Sequence, residues 1–316
     1  MNIRAIFISI ILLTSFFFGC SSDTQKSATT KILVSPKGLV HSFWVTVKAG
    51  ADSAGKEFGA EVIWKGPTQE TDIASQIAII EDYINKEIDA IVLAACDAQG
   101  LIPVIQKASD KNIPVITIDS GVDSDIPKSF IATDNIVAAQ KGARALAELI
   151  GEQGKVACIP FVPGAATSNW REKGFVDEIN KYPNIELLPI RYSQSEVAVG
   201  MAVTEDMLTG HPDIKGIFAA NEAGTIGVIQ ALKTKNKLGK VKVVGFDAAP
   251  NEVEALASGA LDALIVQDPF KMGYEGVKAA MNVLNGQEIP KRMDTGVYVV
   301  TRKNMNLPEI ARLLAK

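Results

Sequence analysis

Ten residues with charged, polar or aromatic side chains lie just beyond the ends of predicted strands, where they could act together. They are Lys37, His41, Phe43, Trp44, Asp119, Ser120, Arg171, Asn221, Asp247 and Gln267. Carboxylates accept hydrogen bonds from hydroxyl groups, whereas arginine and amide groups can donate to them. Aromatic faces pack against the C–H groups of a sugar ring. The combination predicts a binding site for a polyhydroxylated ligand.

The elements that must position these residues follow from the hydrophobic pattern, in which short β-branched runs alternate with longer amphipathic segments. The predicted strands cover residues 31–34, 61–64, 90–95, 115–118, 129–132, 155–160, 186–191, 216–219, 241–246, 263–267 and 296–300. The predicted helices cover residues 43–58, 72–85, 101–111, 136–150, 168–181, 197–208, 223–233, 251–258, 272–284 and 307–314. This alternation predicts an α/β fold of parallel sheets with helices on both faces, in which ligands bind beyond the carboxyl ends of the strands.

Length and composition narrow the class of protein. The chain has 316 residues, of which 47% are hydrophobic and only 6% aromatic, a balance typical of parallel sheets with strands buried on both faces. Its length predicts two lobes, each with a core of its own. With 32 basic and 36 acidic residues the net charge is −4, and no basic cluster stands out. A nucleic-acid partner is therefore not expected.

The N-terminus predicts export from the cytoplasm. An uncharged apolar run from Ala5 to Phe18 ends at Gly19 and Cys20. The run is shorter than the about 20 apolar residues that a spanning helix needs, and it is typical of the hydrophobic part of an export signal. We expect residues 1–19 to be the signal peptide.

Cys20, directly after a small residue, resembles the cysteine of the lipobox of bacterial lipoproteins, although Phe17 stands where that motif usually has leucine. The resemblance implies that Cys20 is lipidated and that residues 20–30, which are mostly polar, form a flexible linker. We therefore expect an extracytoplasmic protein of the periplasm or cell surface that contacts the membrane only through its lipid. An ordinary signal peptide with a chance cysteine is the alternative.

Neither a disulfide nor a metal site is expected. Cys96 and Cys158 lie in separate apolar runs that are predicted to be strands, which favours small core residues over a disulfide. The two histidines, His41 and His211, are too few and too far apart for a zinc site of usual spacing. No cofactor is expected either.

Several motifs together resemble the ribose-type periplasmic sugar-binding proteins. They are VVGFD, FAANEAG, REKGF, HSFWVTVKAGA and PVITIDSG, and the resemblance runs from about Lys31 to beyond Gln267. It implies a substrate-binding subunit of an ABC importer, monomeric, with two Rossmann-like lobes joined by three hinge crossings. The lobes would comprise residues 31–134 with 268–292 and residues 135–267 with 293–316. The function implied is capture of a small sugar by hinge closure and its delivery to a membrane permease.

The same resemblance implies roles for individual residues. Phe43 and Trp44 would stack on the sugar, Asp119 and Asp247 would accept hydrogen bonds from its hydroxyls, and Arg171, Asn221 and Gln267 would complete the ring of contacts. Because Phe43 and Trp44 are neighbours on one helix they cannot share a face, and Arg171 could instead pair with an acidic neighbour on its helix surface. Trp170 and Tyr192 are candidates for a second stacking surface.

Two departures from the family pattern leave the ligand open. Ser120 stands where the ribose group has an arginine, and Lys37 stands where it has a small polar residue. The lysine and the later WKGPTQETD segment are also similar to receptors for the furanosyl signal autoinducer-2, although those lack the Arg171 motif. A sugar sensor that serves a chemoreceptor or a sensor kinase is a further alternative.

Other classes of protein fit the residues less well. The segment SPKGLVHSFW lacks the G-x-G-x-x-G of a dinucleotide-dependent dehydrogenase. Nucleophilic catalysis would need a serine or cysteine beside a base, and neither histidine has an evident partner of that kind. A repressor of related architecture would begin with a helix-turn-helix, but this chain begins with a predicted export signal. We therefore expect a binding protein and not an enzyme.

Overall fold

The computed structural model describes residues 29–314. The signal peptide, Cys20 and most of the predicted linker lie outside these residues. The strands are β1 (Lys31–Ser35), β2 (Glu61–Trp64), β3 (Ala90–Leu93), β4 (Val115–Ile118), β5 (Ser129–Ala132), β6 (Gly154–Ile159), β7 (Ile185–Leu187), β8 (Ile214–Ala219), β9 (Lys242–Phe246), β10 (Ala263–Val266), β11 (Arg292–Asp294) and β12 (Tyr298–Val300). The helices are α1 (Ser42–Phe58), α2 (Ile73–Asn85), α3 (Ile102–Asp110), α4 (Asn135–Leu149), α5 (Ala166–Ile179), α6 (Val197–Gly210), α7 (Glu222–Thr234), α8 (Pro250–Ser258), α9 (Pro269–Leu284) and α10 (Pro308–Leu314).

The strands form two six-stranded sheets, each the centre of one lobe. The first has the order β11-β5-β4-β3-β1-β2, and the second has the order β12-β10-β9-β8-β6-β7. All pairs are parallel except β12, which runs antiparallel to β10. The central strands β3, β4 and β10 are buried along their whole length, because helices cover both faces of each sheet. The predicted α/β fold is confirmed.

The chain passes between the two sheets three times. It enters the second sheet after β5 through α4, returns after β10 through α9, and crosses again between β11 and β12. Helix α9 packs against α1 and the first sheet, whereas α4 packs against α5 and the second sheet. The three crossings predicted from the resemblance are thus present, and they bring the carboxyl ends of both sheets to the same cleft.

The structure corrects several predicted boundaries. The predicted strand 296–300 becomes β12, and β11 before it was not predicted; the two belong to different sheets. The predicted helix 168–181 becomes α5, which begins at Ala166, and the Ser168 hydroxyl accepts a hydrogen bond from the Phe161 amide over 3.2 Å. The predicted helix 72–85 becomes α2, which Asp72 caps, because its carboxylate accepts from the Ser75 amide.

Candidate functional site

A cavity of about 280 Å³ lies between the lobes, at the carboxyl ends of the strands of both sheets. Nine of the ten residues singled out in the sequence line it, and Ser120 does not. Three further residues, which the sequence reasoning missed, complete its wall: Glu70, Phe161 and Glu222. Phe161 and Glu222 closely follow the ends of β6 and β8, so the same positional signal could have found them, whereas Glu70 lies late in the loop between β2 and α2.

Two aspartates reach the cavity from strand ends with unusual backbone geometry. Asp119 follows β4 with φ of 53°, and Asp247 follows β9 with φ of 86°. Non-glycine residues seldom adopt positive φ, although aspartate and asparagine tolerate it better than most. Both aspartates are nearly completely buried. Each lobe thus holds one aspartate in a strained backbone conformation. This indicates that the placement of the carboxylate outweighs the conformational cost.

Lys37 is a buried cation at the centre of the contact between the lobes. Its ammonium lies 3.0 Å from Asp119 Oδ2 and 3.9 Å from Glu70 Oε2, and it donates to Thr167 Oγ1 of the second lobe over 3.0 Å. Burial alone would lower the pKa of Lys37, but the negative charges of Asp119 and Glu70 outweigh it and raise the pKa above its usual value. The side chain is therefore charged.

Glu70 collects hydrogen bonds from several directions. Its Oε1 accepts from Trp44 Nε1 over 2.8 Å and lies 3.4 Å from His41 Nδ1, while its Oε2 accepts from Ser195 Oγ over 3.0 Å. Burial would raise the pKa of Glu70, but the Lys37 charge and the His41 hydrogen bond hold it well below its usual range. For His41 burial acts in the opposite direction and would lower the pKa, yet the hydrogen bond to Glu70 raises it. This carboxylate organises the first-lobe wall.

Arg171 is held inside the second lobe and not on the helix surface. Its Nε donates to Asn135 Oδ1 over 2.7 Å and its Nη1 donates to the Ala220 carbonyl over 2.8 Å. The guanidinium carbon lies 3.7 Å from the centroid of the Phe246 ring, a cation–π contact. The alternative of surface pairing with an acidic helix neighbour therefore does not hold. Burial lowers the pKa of Arg171 somewhat below its usual value.

Asp247 and Gln267 form the other end of the cavity. Asp247 Oδ1 accepts from Gln267 Nε2 over 2.7 Å, and its Oδ2 accepts from the Glu222 amide over 3.0 Å. Burial raises the pKa of Asp247 to about 6, against the opposing charge of Arg171. Within residues 29–314, Gln267 Oε1 is a buried acceptor that receives no hydrogen bond, whereas Asp119 Oδ2 is paired with the Lys37 ammonium. The Gln267 oxygen is thus available to a hydroxyl group of a ligand.

Of the remaining predicted residues, Phe43, Trp44 and Asn221 line the cavity and Ser120 does not. Phe43 is half-buried and Trp44 is fully buried; their rings meet edge to face with centroids 4.9 Å apart, and both line the cavity. Asn221 also lines it and caps α7 by accepting from the Gly224 amide. Ser120 is fully buried away from the wall.

The two candidates for a second stacking surface lie elsewhere. Trp170 packs on Phe130 with ring centroids 5.7 Å apart, and the Tyr192 hydroxyl donates to Glu172. Neither of them lines the cavity. The aromatic part of the wall is instead Phe43, Trp44 and Phe161.

Direct hydrogen bonds join the lobes around the cavity. The Glu222 carboxylate of the second lobe accepts from the Ser42 and Phe43 amides at the start of α1, over 3.0 and 3.1 Å. At other points of the cleft rim the Gln69 side chain donates to Glu196 over 3.0 Å, and the Ala98 amide donates to the Gly164 carbonyl over 3.1 Å. The structure is therefore the closed form of a two-lobed protein.

Other kinds of site receive little support from the part of the chain that the structure describes. His, Cys, Asp and Glu side chains there form no group of three or more that could hold a metal ion. Cys96 and Cys158 are buried free thiols. No helix between residues 29 and 314 combines the length and the apolarity that crossing a bilayer requires.

Comparison with known proteins agrees with the fold and the cleft. The family model described as "Periplasmic binding protein domain" matches residues 32–288. The D-ribose/D-allose-binding protein of Pseudomonas aeruginosa is 31% identical over 88% of this chain and 91% of its own length. The D-allose-binding periplasmic protein of Escherichia coli is 30% identical over 86% and 90%.

Solved structures are similar over most of the chain. An ABC transporter solute-binding protein from Agrobacterium vitis with bound D-fucose is 37% identical, with a TM-score of 0.88 over 90% of this chain and 99% of that one. A carbohydrate transporter solute-binding protein from Agrobacterium radiobacter in complex with D-arabinose is 36% identical, also with a TM-score of 0.88, over 91% and 99%. The chain therefore belongs to the periplasmic binding protein family, among the type I sugar-binding proteins of ABC importers.

Proposed function

We propose that this protein captures one small neutral sugar between its lobes and presents the closed complex to an ABC permease. The observation that carries the proposal is the composition of the cavity wall: aromatic faces, carboxylates, amides and one guanidinium converge on it from both lobes. Such groups match the apolar faces and hydroxyl edges of a sugar ring. Relatives whose names or bound ligands include D-ribose, D-allose, D-arabinose and D-fucose support a monosaccharide.

The charge of the cavity narrows the ligand class. Acidic side chains outnumber the basic ones in the wall, where Lys37, His41 and Arg171 face Glu70, Asp119, Glu222 and Asp247. An anionic ligand such as a sugar phosphate would meet this excess of negative charge. A neutral pentose or hexose is therefore favoured.

Binding would follow from closure of the lobes on the ring. The first lobe contributes Phe43, Trp44, Lys37 and Asp119, and the second contributes Arg171, Asn221, Asp247 and Gln267, so full contact exists only when the cleft is shut. Micromolar affinity corresponds to roughly 8 kcal/mol. Several hydrogen bonds to charged groups, at about 1.5 to 3 kcal/mol each, can supply this after the costs of ordering are met.

A panel of sugars tests the proposal directly. We expect one or more of D-ribose, D-allose, D-arabinose, D-fucose and D-tagatose to raise the melting temperature, because a ligand that binds only the folded state stabilises it. Calorimetry then gives Kd, and chromatography of the recovered sugar checks that it is unchanged. If none of the sugars binds, or if product forms, the proposal is wrong.

Two variants connect binding to this cavity. Arg171→Ala should abolish the thermal shift, but it also strips Asn135 and the Ala220 carbonyl of a donor. Phe43→Ala, at a half-buried helix start, provides a second variant that is less disruptive to the core. Arg144→Ala is the matched control, because that guanidinium lies on the surface of the same lobe as Arg171. If Arg171→Ala and Phe43→Ala both keep full affinity, the sugar does not bind in this cavity.

A furanosyl signal of the autoinducer-2 type is the second candidate ligand. Lys37 lies in the cavity wall beside Asp119, whereas Ser120 does not reach it, so the departures from the ribose pattern alter the chemistry around one aspartate. Including a furanosyl ligand in the panel separates the two candidates. The same closed complex could serve a chemoreceptor or a sensor kinase in place of a permease.

We also propose that the protein is a monomeric lipoprotein of the periplasm or cell surface, anchored through Cys20, with lobes divided near residues 134, 267 and 292. The apolar run that ends at Gly19 and Cys20 supports export and lipidation. Mass spectrometry of the mature N-terminus tests the anchor. An unmodified cysteine, or cleavage elsewhere, would contradict it.

A further inference from the structure

Helix α1 begins at the cleft without a side-chain cap from its own lobe. Among the described residues, His41 precedes the first turn, yet its side chain accepts no hydrogen bond from the helix, and the first turn contains no acidic residue. The His41 ring lies against Glu70 instead. The first amides of a helix have no partner within it, and the N-terminus carries a partial positive charge. Acceptors for these amides must therefore come from water or from another element.

In the closed form the acceptor is the carboxylate of Glu222, which belongs to the opposite lobe. Its Oε1 accepts from the Ser42 amide over 3.0 Å, and its Oε2 accepts from the Phe43 amide over 3.1 Å. Glu222 is nearly completely buried, so water weakens these charge-assisted hydrogen bonds little. The two oxygens thus cap the first two amides of α1 across the cleft.

Glu222 lies between the N-termini of two helices from opposite lobes, because it is also the first residue of α7. Asn221 caps α7, and the Glu222 amide donates to Asp247 Oδ2 over 3.0 Å. Two helix N-termini that approach each other bring like partial charges together, and a carboxylate between them stabilises both. Opening of the cleft would separate Glu222 from α1, whereas its contacts within the second lobe would remain.

We propose that Glu222 is a positioning residue that caps α1 across the cleft and so keeps the sugar complex closed. The inference rests on the proposed function, because its effect is measured on a bound sugar. The carboxylate acts through the backbone of Phe43, whose ring lines the cavity. Both of its oxygens already accept from α1, so its effect does not depend on contact with a ligand hydroxyl. The cap exists only when the lobes are closed, and it should therefore slow the release of sugar but not its entry.

The rate constants of Glu222→Gln test the proposal. Glutamine keeps the size of the side chain, but it removes the charge and leaves one acceptor oxygen for two amides. The probe is the sugar that binds best in the panel above. We expect its dissociation rate constant to rise about tenfold, which corresponds to about 1.4 kcal/mol, and its association rate constant to stay nearly the same. Stopped-flow fluorescence measures both.

Glu254→Gln is the matched control for the loss of charge. Glu254 lies on α8 of the same lobe and is exposed. The substitution removes the same charge far from α1 in the sequence and without a change in the cavity wall. Glu254→Gln should therefore bind and release the sugar at wild-type rates.

A variant in the first lobe removes one donor and leaves Glu222 intact. Ser42 is the first residue of α1, a position that favours proline because the amide has no partner within the helix. The preceding residue has φ of −83° and ψ of 146°, the extended conformation that a following proline requires. Ser42→Pro should therefore fold normally, which thermal unfolding without sugar checks. It should release the sugar about tenfold faster, because a buried carboxylate oxygen loses its donor.

The double variant Ser42→Pro with Glu222→Gln separates the cap from direct contact between Glu222 and the sugar. Residues that act through one contact have effects that are not additive, so the double variant should release the sugar no faster than Glu222→Gln alone. Effects that multiply, to about a hundredfold, would show that the two residues act independently and would overturn the inference. Wild-type release from Glu222→Gln would also overturn it, and in both cases the proposed function stands. If the wild-type protein binds no sugar, both fail.

Discussion

Two buried carboxyl groups in the cavity between the lobes have opposite pKa shifts, because their neighbours differ. Glu70 is surrounded by donors, namely the Lys37 ammonium, the His41 ring and the Trp44 indole, and its pKa is held low. Asp247 is just as buried, and burial, aided by the nearby Glu222 carboxylate, raises its pKa to about 6 despite the opposing charge of Arg171. One acid is therefore charged over the whole physiological range, whereas the other changes state close to neutrality.

The raised pKa of Asp247 predicts that sugar affinity falls in mild acid. A carboxylate accepts hydrogen bonds from ligand hydroxyls, but below pH about 6 the empty cavity holds the protonated acid, and binding must then expel a proton. Because the carboxylate form dominates above that value, Kd should be flat there and should rise about tenfold between pH 7 and pH 5. Calorimetry over this range measures the change.

Asp247→Asn provides the control for that prediction. The amide cannot titrate, so the variant should bind more weakly at pH 7 and lose the acid-dependent rise in Kd. The groups around Asp247 are Arg171, Gln267, Glu222 and Glu252. A wild-type Kd that stays constant from pH 7 to pH 5 would show that Asp247 does not receive a proton in this window.

At this scale the sequence is informative where a side chain directly follows a strand, and less so elsewhere. Asp119, Asp247 and Gln267 follow buried apolar runs, so their place at the cleft could be predicted from the rule for parallel sheets. Ser120 is adjacent to Asp119, yet consecutive residues leave the backbone in different directions, and it lies behind the wall. Glu70 was missed because it comes from the loop between β2 and α2, whose course depends on tertiary packing.

Among the elements, the buried strands were predictable and the edge strand β11 was not. Strands covered on both faces must be almost entirely apolar, and β3 and β4 read accordingly as AIVL and VITI, in which the buried Thr117 hydroxyl donates to the Ser129 carbonyl. Strand β11 has only the three residues RMD and is largely exposed. Its place is set by parallel pairing with β5, which is distant in sequence. Periodicity within the segment carries no signal for such a strand.

The hinge-return helix α9 is fixed on the first lobe by close contact with α1. A side chain at Gly50 would overlap the Phe270 carbonyl, and one at Gly273 would overlap the Val47 carbonyl, so the two backbones touch where both residues lack a Cβ. This contact holds the segment that carries Gln267 next to the start of α1. Helix packing therefore sets where Gln267 lies in the cavity wall relative to Phe43.

Across the whole molecule, the closed form combines few direct contacts between lobes with a cavity that a ligand would complete. A chain of hydrogen bonds runs from Asn221 through the Ser195 hydroxyl to Glu70, and Lys37 reaches Thr167 in the opposite direction. In both connections a charged group of the first lobe, Lys37 or Glu70, is buried against a neutral hydroxyl of the second. Burying a charged group is costly unless all its hydrogen bonds are made. Hydrogen bonds from ligand hydroxyls should therefore shift the equilibrium between open and closed forms toward the closed one.

The contact between Gly164 and the β3–α3 loop offers a way to oppose closure without touching the cavity. Gly164 has φ of 92°, and its carbonyl accepts from the Ala98 amide of the other lobe. A Cβ at this position would collide with Asp97 Oδ2. The Asp97 side chain cannot easily swing away, because its Oδ1 accepts from the Gln99 and Gly100 amides. Gly164→Ala should therefore prop the cleft open.

We expect Gly164→Ala to weaken sugar binding by about tenfold, which corresponds to about 1.4 kcal/mol and lies within the roughly 1 to 3 kcal/mol that overpacking usually costs. The ligand-induced decrease in radius of gyration, measured by small-angle scattering at saturating sugar, should remain.

Local strain at positive φ is present in any Gly164→Ala chain, so the double variant Asp97→Ala with Gly164→Ala separates it from the clash between lobes. Affinity should recover in the double variant, whereas Asp97→Ala alone should bind nearly normally. If the double variant binds as weakly as Gly164→Ala, backbone strain and not obstruction of the cleft is the cause, and closure through this contact does not limit binding.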